Sequence, residues 1–306
     1  MWTAALAPKF LILYGFIASA LFVHFRGKAR HRFTRQLTDH STFLAPFNCL
    51  LYAFSAVPNR PVLALESFPE LAVLKDNWQT IRDEALALRR AGDIRASDAY
   101  DDLGFNSFFK TGWTRFYLKW YEASLPSARE LCPKTVALLE QCPSIHGAMF
   151  AALPPGGSLV AHRDPYAGAL RYHLGLATPN DDRCRIYIDG EPYSWRDGEA
   201  IVFDETYIHK AYNETEQDRV ILFCDLERPM RNGVARAFNR FLSRHVLSQT
   251  ATKNVPGERV GAFNRLFKYV YVIRRKAKAL KAYNRRLYYA LKYVLFGGLL
   301  YWVFVA

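Results

Sequence analysis

The sequence predicts a mainly β domain with flanking helices (α+β), an antiparallel sandwich or barrel, with a hydrophobic membrane helix at each end. Three observations lead there. Between residues 145 and 226 short apolar runs succeed one another, separated by turn residues and by no helical stretch. Phe10 to Phe25 reads FLILYGFIASALFVHF and Leu287 to Ala306 reads LYYALKYVLFGGLLYWVFVA. The net charge of +13 is also confined to the two ends.

The terminal segments come first. Counted back to Trp2, the N-terminal run approaches the ~20 residues that span a bilayer, with Lys9 snorkelling. Its charges, RGKARHRFTR, follow the apolar run rather than precede it. That order fits an uncleaved signal-anchor and not a cleavable signal peptide. The C-terminal run is preceded by RRKAKALKAYNRR, and the stretch 264–286 has helical character. Residues 1–35 hold six basic residues and no acid, and residues 265–306 hold ten and no acid. The positive-inside rule puts both basic flanks in the cytoplasm, with both termini across the inner membrane. Interfacial helices that never cross, or hydrophobic helices packed on the domain, are the alternatives. Residues 36–264 are near neutral, so a nucleic-acid partner is not expected.

The linker 36–75 is expected to be irregular because Pro46, Pro58, Pro61 and Pro69 interrupt it. Leu71, Leu74, Trp78, Ile81, Ala85 and Leu88 recur at helical spacing, which predicts a helix over 71–90 stopped by Gly92. A second helix is expected over 126–142. Strands are expected at 145–153, 158–162, 169–177, 184–188, 200–204 and 219–226, with turns such as Pro154-Pro155-Gly156-Gly157 and Asp189-Gly190 between them. The absence of a GxGxxG or P-loop pattern excludes a nucleotide-binding parallel sheet. Five scattered cysteines without a CxxC pair read as reduced core thiols, not as a zinc ribbon.

The chemistry gathers around one strand end, Val160-Ala161-His162-Arg163-Asp164. In extended chain His162 and Asp164 share a side. His209 follows the apolar run Ala200–Asp204. Two imidazoles and a carboxylate make the facial triad of non-haem iron(II) oxygenases, which leaves coordination positions open for a cosubstrate and O2. The alternative is ordinary surface or core histidines. Arg219 opens an apolar strand; it is either a rim salt bridge or a bidentate clamp for a carboxylate. Arg171 and His173, two apart on 169–177, add a second cationic pair, or else a polar outer face.

Taken together, His162-Arg-Asp-Pro, Leu170-Arg-Tyr-His-Leu-Gly-Leu, Trp195-Arg-Asp-Gly-Glu-Ala and Phe203-Asp-Glu-Thr with His209, Asn213 and Arg219 resemble the aspartyl/asparaginyl β-hydroxylase family over roughly residues 100–230. Within it, the flanking hydrophobic segments and the run Phe109 to Tyr121 are most similar to bacterial lipid A 2-hydroxylases. The resemblance implies a double-stranded β-helix (jelly roll) and an Fe(II)/2-oxoglutarate-dependent dioxygenase that uses O2. It implies iron ligation by His162 and His209, binding of the distal 2-oxoglutarate carboxylate by Arg219, and further cosubstrate contacts from Arg171 and His173. The animal peptide hydroxylases of the family lack a carboxylate at the position of Asp164, so its expected ligation rests on spacing alone.

The expected organisation is an N-terminal transmembrane anchor at 1–25 and a basic flank, linker and helical segment at 26–99. The dioxygenase domain follows at 100–245, then a linker and basic juxtamembrane helix at 246–286, then a C-terminal transmembrane segment at 287–306. The expected reaction is hydroxylation at C2 of a secondary acyl chain of lipid A, or a related membrane glycolipid, on the cytoplasmic face of the inner membrane. A membrane-tethered peptidyl-aspartyl/asparaginyl hydroxylase is one alternative. A catalytically dead cupin-like scaffold is the other.

Overall fold

The computed structural model describes residues 7–97, 101–121, 123 and 125–304. Trp2 and Ala306, at the outer ends of the expected spans, and the expected boundary at 99/100 lie outside them. Helices α1 (Pro8–Phe25) and α2 (Ala45–Ala53) precede a first short strand, β1 (Val62–Leu63), and α3 (Trp78–Ala91). Then come β2 (Thr114–Trp120), α4 (Pro133–Glu140), β3 (Ile145–Leu153), β4 (Ser158–His162) and β5 (Ala169–Ala177). The β domain closes with β6 (Cys184–Ile188), β7 (Glu191–Ser194), β8 (Ala200–Phe203), β9 (His209–Asn213) and β10 (Arg219–Glu227). Helices α5 (Gly233–His245), α6 (Ala262–Tyr283) and α7 (Arg285–Phe304) follow.

One sheet has the order β1-β8-β5-β10-β3-β2 and the other β4-β9-β6-β7. The pairings nest: β6 with β7, β5 with β8, β4 with β9, and β3 with β10, all antiparallel. A single long ribbon is thus wound into two sheets, which is the double-stranded β-helix. Side chains from both sheets, such as Ile186, Ile188, Ala211, Ile221 and Phe223, share one core.

Helix α3 covers the outer face of β5, and that explains why β5 is buried on both sides. Its period of two divides the strand. Arg171 and His173 face the interior of the β-helix, while Leu170, Tyr172 and Leu174 alternate with them in the apolar core. On β10, Arg219, Ile221 and Phe223 share the interior side by the same alternation.

The expected strands are all present. Four were not among those expected: β1, β2, β7 and β9. β9 (HKAYN) lacks an apolar run, although its burial alternates, with His209, Ala211 and Asn213 inside. The expected helix over 71–90 is broken at Asn77, whose Nδ2 donates to the Val73 carbonyl at 2.8 Å. Gly92 does end it, in a left-handed conformation with φ 80°. The expected helix over 126–142 is split into Pro126–Leu131 and α4, because Pro133 has no N–H to continue the first piece. The linker 36–75 is not wholly irregular. Pro46 lies in the first turn of α2, where a missing N–H is harmless.

Among the described residues one helix, α1, is long and apolar enough to cross a membrane. The expected C-terminal helix is present as α7, and the outer end of the span expected there, Val305 and Ala306, lies outside the described residues. The five cysteines are free.

Candidate active site

β4 and β9 set His162 directly opposite His209 in their ladder, with ring centroids 4.2 Å apart. The Nδ1 of His162 lies 2.6 Å from the Val160 carbonyl, and that of His209 lies 3.0 Å from the Tyr207 carbonyl. A carbonyl only accepts, so each Nδ1 carries the proton and each Nε2 keeps a lone pair. Asp164 Oδ1 is 3.7 Å from His162 Nε2, and one donor atom from each of the three residues lies within 4.8 Å of the others. Burial lowers the pKa of both imidazoles, that of His209 to about 3, with the neighbouring His162 acting in the same sense. Both rings are therefore neutral and able to ligate at ordinary pH.

Two nitrogens and one carboxylate oxygen on one side, with the remaining face open, fit the donor set of non-haem iron(II). A structural zinc would instead be enclosed by four ligands.

His162, Asp164, His209, Arg171, His173 and Arg219 line one cleft, about 440 Å³ including the space open to solvent, walled by Phe105, Phe108, Trp113, Phe203 and Phe223. The six residues singled out from the sequence are thus brought together. Their electrostatic settings differ, however. Arg171 is buried within a cage of carboxylates: 2.8 Å from Asp164, 3.0 Å from Asp225 and in a short contact with Glu205. Its guanidinium also lies 3.6 Å over the Phe223 ring. Burial opposes the Asp164 charge, but Arg171 and then the two histidines hold its carboxyl below the usual range. Burial pushes the Glu205 carboxyl well up against the pull of Arg171, with the charges of Asp164 and Asp225 acting in the same upward sense.

Arg219 has no such company. It is buried, stacks 4.4 Å over Trp195, and pairs with no carboxylate among the described residues. Its Nε has no hydrogen-bond partner. Burial lowers its pKa to about 10, which still leaves it charged. A buried, unpaired cation lining a cavity is an anion site in search of its anion. His173 lies beside Trp195, whose Nε1 is 3.4 Å from its Nδ1, and its Nε2 has no partner. Burial, and then Arg171 and Arg219, keep this imidazole neutral.

Several functional neighbours escape sequence reasoning. Asp225 stands opposite Arg171 in the β5–β10 register, and only the pairing shows it. Tyr121 Oη donates to Asp225 at 3.1 Å. The segment after α1 grips the loop that carries the histidine–aspartate pair. Arg35 donates to the Ala161 carbonyl at 2.7 Å, and the Arg163 side chain reaches the Val23 carbonyl. His40 Nε2 meets the Arg163 carbonyl at 2.7 Å, and Asn48 bonds both Pro165 and Ala167 at 3.0 Å. Arg26, read in sequence as part of the basic flank that sets the orientation of the first span, is buried. It pairs with Asp204 at 2.6 Å between the Tyr52 and Tyr207 rings.

A family model described as aspartyl/asparaginyl beta-hydroxylase matches residues 75–229. Over 182 residues the chain is 34% identical to an ornithine lipid ester-linked acyl 2-hydroxylase of Rhizobium tropici, covering 58% of this chain and 64% of that protein. It is 31% identical over 169 residues to aspartate beta-hydroxylase domain-containing protein 2 of Homo sapiens, covering 52% of this chain and 45% of that one. It is 29% identical over 161 residues to the aspartyl/asparaginyl beta-hydroxylase of Homo sapiens, covering 51% and 21%. The chain spans less than two thirds of the length of each of these relatives.

Proposed function

We propose, from the premise that this chain belongs to the aspartyl/asparaginyl β-hydroxylase family, that it is an iron(II)- and 2-oxoglutarate-dependent dioxygenase acting on a fatty acyl chain of a membrane lipid. One observation carries the reading: neutral His162 and His209 and anionic Asp164 share a cavity with the unpaired guanidinium of Arg219.

His162, Asp164 and His209 would hold the iron through two Nε2 atoms and one carboxylate oxygen. Arg219, stacked on Trp195, would bind the distal carboxylate of 2-oxoglutarate. His173, with Nδ1 turned to Trp195, would present its Nε2–H to the same molecule. When bound, iron(II) and 2-oxoglutarate supply the oxidising chemistry: with O2 the cosubstrate becomes succinate and carbon dioxide, and an unactivated carbon gains a hydroxyl. Arg171 keeps Asp164 charged and in place, and its contacts with Glu205 and Asp225 hold the guanidinium there. Phe105, Phe108, Trp113, Phe203 and Phe223 keep water from the reacting carbon. No side chain is needed as a general acid or base.

The lipid substrate is supported by α1 and by the similarity to the Rhizobium tropici enzyme, whose name specifies 2-hydroxylation of an ester-linked acyl chain. The same chemical unit occurs in the secondary chains of lipid A, and we propose that carrier, modified on the cytoplasmic face of the inner membrane. Orientation rests on the basic residues that follow α1. Mass spectrometry of lipids from cells with and without the protein tests the reading. Lipid A should gain one oxygen on an acyl chain. A gain on ornithine lipid alone would move the activity to that carrier. If neither lipid changes while a protein Asp or Asn gains a hydroxyl, the lipid reading fails.

A further inference from the structure

Helix α1 meets a difficulty as a lone anchor. Its 18 residues are about 27 Å long, hardly the ~30 Å of a hydrocarbon core, so a crossing needs all of it. Yet its last two turns lie against protein. Cys49 Sγ donates to the Ser19 carbonyl at 3.8 Å, and the Phe22 and Tyr52 rings are 6.3 Å apart. Val23 is buried in a cluster with Ala45, Leu51 and Tyr52. Both contacts join residues thirty apart in sequence, so α1 and α2 run side by side in the same direction. Whatever depth Ser19–Phe25 occupies, α2 shares it.

The outer face of α2 suits that depth. Phe47 and Leu50 on α2, with Phe43 just before it and Phe54 just after it, follow one another at spacings of three and four and are 50%, 52%, 61% and 42% exposed. No charged residue occurs from Ser41 to Pro58. The opposite face is built for the domain, with Asn48 holding the 165–167 backbone. Exposed cations, Arg30, Arg32 and Arg35, lie on the chain between α1 and α2.

We propose that this stripe is a bilayer-docking surface. Phe43, Phe47, Leu50 and Phe54 sit in lipid beside α1, so the β domain is seated in the membrane rather than hung from a tether. Because α2 also holds the 165–167 backbone, the active-site loop lies next to the bilayer surface. The proposal rests on the reading of α1 as membrane-inserted, and its occupant is lipid, since the stripe is continuous with α1 and uncharged.

The test uses the full chain reconstituted in phosphatidylethanolamine/phosphatidylglycerol vesicles, with Cys49→Ser in the background. Single variants Ile12→Cys, Phe47→Cys, Leu50→Cys and Val234→Cys are labelled with an environment-sensitive fluorophore, and acyl-brominated phosphatidylcholine is the quencher. All four positions are exposed, so folding should survive. The expected result is blue-shifted emission and comparable quenching at 12, 47 and 50, with neither at 234. Quenching at 12 but not at 47 and 50 overturns the docking surface and leaves α1 inserted. No quenching at any position overturns both. A blue shift at 47 and 50 without quenching shows that protein, such as a second copy, covers the stripe, and also overturns the proposal.

Discussion

His162 and His209 face each other across the β4–β9 ladder, and each turns its Nδ1 to the carbonyl two residues before it, Val160 and Tyr207. Each strand thus orients its own imidazole without help from another side chain. His162→Ala and His209→Ala should each weaken metal binding by more than the roughly 10–100-fold that losing an outer partner costs. Titration of the apo protein with Mn(II), followed by electron paramagnetic resonance, measures this. Unchanged affinity in either variant excludes that histidine as a ligand.

Asp164 is the more demanding case, since its carboxylate also answers Arg171 at 2.8 Å. Asp164→Ala should lower both metal affinity and succinate formation markedly. Metal binding at the wild-type level in this variant would reduce the centre to two histidines and leave Asp164 as the partner of Arg171 alone.

Arg219 is expected to act on the cosubstrate only. Removing a charge-assisted hydrogen-bonding group forfeits about 1.5–3 kcal/mol, or roughly 10–150-fold in affinity. Arg219→Ala should raise the 2-oxoglutarate Kd by that factor and leave Mn(II) affinity unchanged, as read by calorimetry. Loss of metal binding with it would place Arg219 in the metal centre instead.

Acid should destabilise the apo fold through the buried neutral histidines. The folded pKa of His209 is depressed to about 3, so its stabilising effect is complete above the unfolded value near 6.5. As pH falls through that window the unfolded state binds a proton that the folded state refuses. Stability then declines by up to about 1.4 kcal/mol per pH unit for this group. Urea denaturation of wild type and His209→Gln between pH 6.5 and 4 compares the slopes. The variant should lose less over the window; equal slopes would contradict a buried, neutral His209.

Much of this was legible in the amino-acid sequence, and the reasons are local. The spacing of His162 and Asp164 works because extended chain repeats every two residues, and β3, β5 and β10 announce themselves by long apolar runs. β9 was hidden because its inward residues, His209, Ala211 and Asn213, are polar or small, so alternation of burial was not alternation of hydropathy. The cage around Arg171 was hidden for a different reason. Asp164, Glu205 and Asp225 come from three segments that only strand register brings together. Arg26 misled outright: a basic residue after an apolar run reads as part of the exposed flank that sets membrane orientation. Its partner Asp204 is far along the chain, and the structure buries both.

The central claim is an oxygenation of lipid coupled to 2-oxoglutarate turnover. The direct measurement supplies the purified full chain with iron(II), 2-oxoglutarate, ¹⁸O2 and vesicles containing lipid A, then analyses acyl chains and succinate by mass spectrometry. The account predicts one ¹⁸O in a 2-hydroxyacyl chain for each succinate formed, with both products absent in His209→Ala. An unlabelled acyl chain from a wild-type protein that binds metal and 2-oxoglutarate normally would contradict it.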